Sequence, residues 1–392
     1  MNPGFQVLLL RFGVFMPDFL SILRHFIPAA LLASCAGHPP GGDHRVSPVR
    51  PAEPASSPLN IQAKQPRGAH VADRLTGDYA GYAALQSFID RMVERHAFPR
   101  AYLLGLFSEA RRKQWTLNYL AHESPPTTHH ASSPRPGSWP RYRAQFLTEF
   151  HINRGVQFWH HHAGALSTAS ARFGVPAEII MGILGVETAY GANLGKDRIL
   201  DALTTLAFDY PRRADYFTDE LENFLLMTRS EGMDPVAPKG SYAGAMGLGQ
   251  FMPGSFLKWA EDLDGDGRKD LWNPADAIGS VARYFAENGW KSGQPVISPA
   301  RVTGSRYKLL EYGYDKAYPL ATLAEYGIVP ATPAPVGPAS GGLRFLRLGL
   351  HGGEEHWLGH DNFYVITRYN HSTHYAMAVY QLAEAVRARY RM

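Results

Sequence analysis

Residues 181–191 read MGILGVETAYG, an apolar run that carries one charge, Glu187. Pro176 upstream suits the first turn of a helix, and Gly191 suits the residue just past its end. Within that helix Ile179, Ile183 and Val186 fall on one stripe, flanked by Ile180 and Leu184. Glu187 lies seven residues after Ile180 and eight after Ile179, so the spacing turns it to the same apolar side. Burial disfavours an ionised carboxyl and raises its pKa. A carboxyl kept neutral near neutral pH can donate a proton, as a general acid in glycoside chemistry must. A glutamate paired with a buried arginine would satisfy the same spacing, so position alone leaves both readings open.

The chain has 392 residues, of which 45% are hydrophobic, 12% aromatic and 19% charged, with 29 Pro and 38 Gly. That composition supports a large core with long loops and excludes a disordered chain. The net charge is +4. Such mild basicity suits an anionic polymer, but no Lys/Arg run clusters on one element, so nucleic acid is not expected as a partner. The single cysteine, Cys35, ends RHFIPAALLASC. A basic flank, a short apolar stretch and small residues before a cut are the order of a secretory signal. The stretch is shorter than the ~20 residues that span a bilayer. LASC resembles a bacterial lipobox, which implies acylation of Cys35 and a lipid anchor worth ~0.8 kcal/mol per buried methylene; the alternative is a plain signal with an incidental cysteine. Met16 is a plausible start, and Ala36, where an aspartate would imply inner-membrane retention, leans the expectation to the outer membrane.

Residues 1–35 are thus read as a lipoprotein signal and 36–70, rich in Pro, Gly and Ser, as a tether. Helical spacing begins in YAALQSFIDRMVERHAF (82–98) and continues in PRAYLLGLFSEARRKQWTLNYLA (99–121), read as one helix each. Residues 123–140 read as a loop, and 142–174 as one or two helices closed by Gly174. These make an N-terminal α region, 71–150, leading into a core, 151–295. His160 to His162 are consecutive, point about 100° apart on a helix and cannot converge on one ion. Residues 296–362 turn Pro- and Gly-rich, and LRFLRLGL (343–350) and FYVI (363–366) look like strands. The final THYAMAVYQLAEAVRARY (373–390) is helical and belongs to a C-terminal return, 363–392. The fold class expected is mainly α, with a small β-containing insertion.

Two longer stretches narrow the function. GVETAYGANLGKDRILDALTTLAFDYPRRADYF (185–217) and KGSYAGAMGLGQFMPGSFLKWAEDLDGDGRKDLWNPADAIGSVARYFAENGW (239–290) closely resemble the membrane-bound lytic murein transglycosylase B family. The likeness resumes in FYVITRYNHSTHYAMAV (363–379). It implies a lysozyme-like helical core with an added α region and a small β region. It also implies cleavage of the β-1,4 bond between N-acetylmuramic acid and N-acetylglucosamine in peptidoglycan, with Glu187 as the single acid and base. The sugar's own C6 hydroxyl would attack C1, giving a 1,6-anhydro product without a second carboxylate.

On the same resemblance Ser241 would hydrogen-bond near Glu187 and Gln250 would contact the sugar; loop and turn chemistry is their alternative. Arg212 and Arg213 match groove residues that can fork onto substrate carboxylates, or else form a surface ion-pair cluster. Tyr216, Tyr284, Tyr369 and Tyr375 match aromatics around the cleft, where core packing is the alternative. Asn370 matches a contact to an acetamido group. Partners implied are glycan strands, the membrane through the anchor and other cell-wall enzymes, for a periplasmic monomer of a Gram-negative bacterium.

DLDGDGRKDLWNPAD (262–276) sets Asp262, Asp264 and Asp266 at positions 1, 3 and 5 of an EF-hand loop. Gly267 takes position 6 and the Arg268 carbonyl position 7. Asn273 stands where the usual loop has a bidentate Glu. The family's longer loop implies closure by Asp276. We read a structural cation site, Ca2+ being the candidate and its identity left open, against an acidic surface turn; the sugar chemistry needs no metal. Rival functions are a hydrolytic muramidase on the same scaffold and a non-catalytic wall-binding lipoprotein.

Overall fold

A computed structural model describes residues 64–121, 133–332 and 342–392. Cys35, the signal and most of the tether lie outside the described residues. The architecture is mainly helical, as expected. In chain order the helices are α1 (Ala83–His96), α2 (Arg100–Ser108), α3 (Gln114–Ala121), α4 (Ser138–Arg143), α5 (Glu149–Phe173), α6 (Ala177–Thr188), α7 (Ile199–Asp209), α8 (Ala214–Glu231), α9 (Pro253–Trp259) and α10 (Pro274–Glu287). After the β region come α11 (Leu320–Glu325), α12 (Asp361–Tyr369) and α13 (Thr373–Tyr390).

Helix α6 is the hub. Every residue from Ile179 to Val186 is buried, so the apolar stripe is a whole buried cylinder. It crosses α13 closely because Gly182 has no side chain: a Cβ there would lie 2.4 Å from the Val379 carbonyl oxygen. Helix α5 ends at Gly174, in the left-handed conformation the sequence required, and is kinked at His162. Its three histidines diverge: His160 is exposed beside the Tyr390 ring, His161 Nδ1 is 2.7 Å from the Gln157 carbonyl, and His162 turns inward onto the buried Phe158 ring at 4.4 Å.

The strands β1 (Asp197–Arg198) and β2 (Lys239–Gly240) form a two-residue antiparallel ladder. A five-stranded antiparallel sheet holds β3 (Ile297–Val302), β4 (Ala317–Tyr318), β5 (Ile328–Pro330), β6 (Leu343–Leu350) and β7 (Gly353–Gly359), in the order β4-β6-β7-β3-β5. LRFLRLGL is strand β6, and its period of two sorts its side chains. Leu343 and Phe345 join a small core with Leu310, Leu323 and Ile328, whereas Leu346 and Leu348 face the main core. Arg347 is buried and forks onto Glu354 at 2.8 and 2.6 Å.

Four boundaries differ from the expectation, each for a tertiary reason. FYVI is helical, inside α12: Asp361 at its first turn is held by Lys291 and Arg344, and Asn362 bonds the backbone of Lys291 and Gln294. Residues 99–121 form two helices, because the amides of Arg111, Arg112 and Lys113 donate to the side chains of Asp201, Asp78 and Thr205 instead of to carbonyls one turn back. The loop assigned to 123–140 gives way to α4 at Ser138, whose Trp139 is buried. The tether's end is docked: Tyr102 donates to the Arg67 carbonyl, and buried His70 sits 2.6 Å from Glu109 and 2.8 Å from Asp234. Burial alone would lower the pKa of His70, but the two carboxylates outweigh it and raise it.

The close crossing yields a stability prediction. Gly182→Ala drives a methyl group into backbone and is expected to destabilise by roughly 1–3 kcal/mol, read as a lower urea midpoint at unchanged slope. A variant as stable as the parent would mean that α6 and α13 have room to separate.

Candidate active site

Glu187 occupies the last turn of α6, and the helix ends immediately afterwards. The left-handed residues are Ala189 (φ 48°) and Tyr190 (φ 57°), not Gly191 alone. Two consecutive non-glycine residues in that region are strained and persist only where the surroundings hold them. Arg154 holds them from α5, donating to the Ala189 carbonyl at 3.0 Å and the Tyr190 carbonyl at 3.4 Å. Buried Thr188 donates to the Leu248 carbonyl at 2.9 Å, tying the helix end to the glycine-rich loop that follows β2.

Glu187 is the half-buried exception in a buried helix. Its carboxyl accepts a 2.5 Å hydrogen bond from the Tyr375 hydroxyl, at the first turn of α13. Burial pushes its pKa from 4.5 up to about 7; the Tyr375 bond acts in the opposite direction and is the smaller effect. The negative end of the α6 dipole also favours the neutral form. No neighbouring acid contributes to the shift. No arginine pairs with Glu187 either, so the ion-pair alternative falls away among the described residues. The carboxyl's own charge, after burial, raises the pKa values of Tyr142, Tyr369 and Tyr375, so three phenols feel it and one of them, Tyr375, bonds it.

Tyr142, on α4, escaped the sequence reading. It lies in a segment of weak family likeness, where only an aromatic next to arginines, SWPRYR, could have drawn notice. Tyr369 donates to the Gly249 carbonyl at 2.5 Å and packs edge-on against Tyr284 at 4.8 Å. Tyr284 is nearly buried and donates to the Arg368 carbonyl at 2.6 Å, so its hydroxyl serves packing. Asn370, 3% exposed, has an Oδ1 with no hydrogen-bond partner among the described residues.

The glycine-rich loop folds back on itself through bridges pairing Gly240 with Met246 and Met246 with Phe251. Ser241 accepts from the amides of Ala243 and Ala245, at 3.3 and 2.9 Å. The Ser241 hydroxyl thus accepts both amides within its own turn, while the hydrogen bond to the Glu187 carboxyl is donated by Tyr375. Gln250 is held at φ 52°, with its amide donating to the Gly247 carbonyl at 2.9 Å. Arg213 lies 4.0 Å over the Tyr216 ring, while Arg212 is exposed. Glu220, buried beneath them, accepts from the Gly254 amide at 2.7 Å and so joins α8 to the start of α9.

In the acidic loop the ligand oxygens of Asp262, Asp264 and Asp276 lie within 4.8 Å of one another. Asp276 is fully buried at the first turn of α10 and closes the loop where the family pattern put it. Its carboxyl accepts from the amides of Leu263 and Asp270. Burial, then repulsion from Asp264 and Asp262, raises its pKa. Asp266 is exposed, accepts from the Arg268 amide and stands outside this cluster. Asn273 is not a ligand substitute but the helix cap, accepting from the Ala275 amide at 2.9 Å. Three hard carboxylates at that spacing suit a cation of the Ca2+ type.

Comparison with known proteins accords with this geometry. Residues 80–384 match the transglycosylase SLT domain. The chain is 43% identical over 373 residues to the membrane-bound lytic murein transglycosylase B of Escherichia coli, covering 95% of this chain and 98% of that protein. The E. coli lytic transglycosylase SLT35, solved in complex with bulgecin A and with calcium, superposes with a TM-score of 0.75 at 45% identity, covering 81% of this chain and 97% of that one. SltB3 from Pseudomonas aeruginosa, in complex with NAG-anhNAM-pentapeptide, gives 0.65 at 26% identity, over 78% and 80% of the two chains. With a matching domain over most of its length and a relative this similar end to end, the chain belongs to the lytic murein transglycosylase B family.

Proposed function

We propose that this protein is a lytic transglycosylase that cleaves the MurNAc-β-1,4-GlcNAc bond of peptidoglycan without water, with Glu187 as its acid and base. The observation that carries the reading is the isolation of that carboxyl: half-buried, titrating near neutrality, bonded to Tyr375 and, among the described residues, shifted by no second acid. Neutral Glu187 gives its proton to the glycosidic oxygen as the bond from C1 breaks. The carboxylate left behind takes the proton of the muramic C6 hydroxyl, whose oxygen bonds to C1. The net result is a 1,6-anhydro ring and a free 4-hydroxyl, with the carboxyl restored. One group serves twice because the nucleophile is already part of the substrate, at high effective concentration. A retaining or inverting hydrolase needs two carboxyls at fixed separation.

The surrounding residues are assigned roles on the same basis. Tyr375 orients the carboxyl, and Tyr142 and Tyr369 keep water from it. The unpartnered Asn370 oxygen suits an acetamido N–H of the substrate. Gln250, held in a strained conformation, suits a sugar contact, and Ser241 supports the loop that carries it. Arg213, stacked on Tyr216, and exposed Arg212 suit the lactyl or peptide carboxylates. Tyr284 supports Tyr369. Asp262, Asp264 and Asp276, with the Arg268 carbonyl and Asp266 at the rim, would hold a structural Ca2+, whose charge would relieve their mutual repulsion. Acylated Cys35 would tether the enzyme, as a monomer, to the periplasmic face of an outer membrane, in keeping with the membrane-bound E. coli relative. The domain limits read from the sequence fit this assignment once residues 64–70 are moved from the tether to the folded body.

Mass spectrometry of digested sacculi tests the reaction. The parent should release anhydro ends, one water lighter than reducing ends, and Glu187→Gln should lose at least about a thousandfold in rate. Reducing ends from the parent would mean hydrolysis, and undiminished clearing by Glu187→Gln would remove the assigned acid.

The protonated carboxyl is the active form, so kcat/KM should fall as pH rises through about 7. Tyr375→Phe deletes the bond that favours the ionised form. Its alkaline limb should therefore move to higher pH while kcat drops; a limb that stays or moves down contradicts the assigned polarity.

Adding millimolar Ca2+ should raise the melting temperature of the parent by several degrees, as a ligand of the native state does. Asp264→Ala should abolish that rise without abolishing turnover. An equal rise in both proteins would place the cation elsewhere.

A further inference from the structure

Helix α3 carries a feature that the catalytic site does not use. Trp115 is 52% exposed, unusual for a ring of that size. It stacks on Tyr119 with ring centroids 5.2 Å apart and planes 18° from parallel. Tyr242 meets both rings edge-on, at 5.8 and 5.5 Å. Planar polar groups border the rings: Arg112 donates to the Gln114 amide, which donates to Asn118 at 2.8 Å.

The rings are mounted rigidly on the groove. Between them Thr116 is fully buried. The Lys113 amide donates to Thr205 at 2.9 Å, and its ammonium pairs with Asp197 at 2.6 Å. Asp197 pairs with Gly240 in the β1–β2 ladder, and the chain continues from Gly240 through Ser241 into Tyr242. Tyr242 therefore opens the same loop that ends at Gln250. A strand of sugars that ran from Gln250 past Ser241 would meet this aromatic face next.

We propose that Trp115, Tyr119 and Tyr242 form an outer saccharide subsite that grips the glycan strand beyond the residues flanking the cut. A pyranose offers an apolar C–H face to an aromatic ring and equatorial hydroxyls to flanking amides, and this patch supplies both. The Gln114 and Asn118 amides are uncharged, and the Arg112 guanidinium is paired with Asp209 at 3.1 Å, which favours neutral sugar over the acidic stem peptide. The proposal rests on the peptidoglycan reading above, which supplies the strand and its path.

Binding is measured in a Glu187→Gln background, which leaves the ligand intact. Peptide-free glycan strands and a tetrasaccharide of the same sugars serve as probes. Adding Trp115→Ala should weaken binding of the long strands roughly tenfold and remove most of their advantage over the tetrasaccharide. Trp115→Phe, which keeps a ring, should stay within about threefold of the background protein. Matching melting temperatures establish that both variants are folded; Trp115 is exposed enough to be replaced. Equal affinity of Trp115→Ala and its background for long strands overturns the subsite while leaving the catalytic reading intact. So does a loss confined to peptide-bearing fragments, which would assign the patch to the stem peptide. If the Glu187→Gln protein binds no glycan at all, the catalytic reading and the subsite fall together.

Discussion

The hydrogen bond between Tyr375 and Glu187 joins the two helices on which the molecule is organised. It is 2.5 Å long and spans 188 residues of sequence. It exists because α6 and α13 cross closely, and they cross closely because Gly182 leaves room for the Val379 carbonyl. The interaction is also a balance. Burial favours the neutral acid, the phenol favours the ionised one, and the result lies near 7. A carboxyl shifted that far is less stable in the folded protein than in water once it ionises, by on the order of 3 kcal/mol. A proton donor that must recover its proton each cycle is well served by a pKa near the working pH.

That balance needs a rigid frame, and several independent devices supply it. Arg154 secures the strained reversal at Ala189 and Tyr190. Thr188 ties the helix end to Leu248, and Tyr369 ties α12 to Gly249 in the same loop. Glu220 fixes the far side of that loop through Gly254. The acidic loop between α9 and α10 belongs to the same frame, since its Leu271 carbonyl accepts from the Leu248 amide at 2.9 Å.

Much of this was legible beforehand. The apolar run with its one carboxylate, strand β6, helix α13 and the acidic loop all declared themselves through local pattern. The failures share one cause. FYVI has the β-branched and aromatic composition of a strand, yet Lys291, Arg344 and Asn362 stabilise it as a helix from outside. Residues 99–121 have continuous helical spacing, yet distant side chains capture three consecutive amides at the break. Tyr142 is a tyrosine among arginines until α4 brings it to Glu187.

Sequence alone determined the mainly helical class, the place of Glu187 at the end of a buried helix, and the carboxylates of the acidic loop. These follow from periodicity and from spacing within a few residues, where the backbone's own geometry fixes which side chains share a face. Only the tertiary structure decided which group bonds Glu187, how far its pKa moves, that among the described residues no second acid shifts it, and that an exposed tryptophan borders the groove loop. Desolvation and hydrogen bonding depend on atoms brought together from remote segments, and no local pattern encodes that proximity.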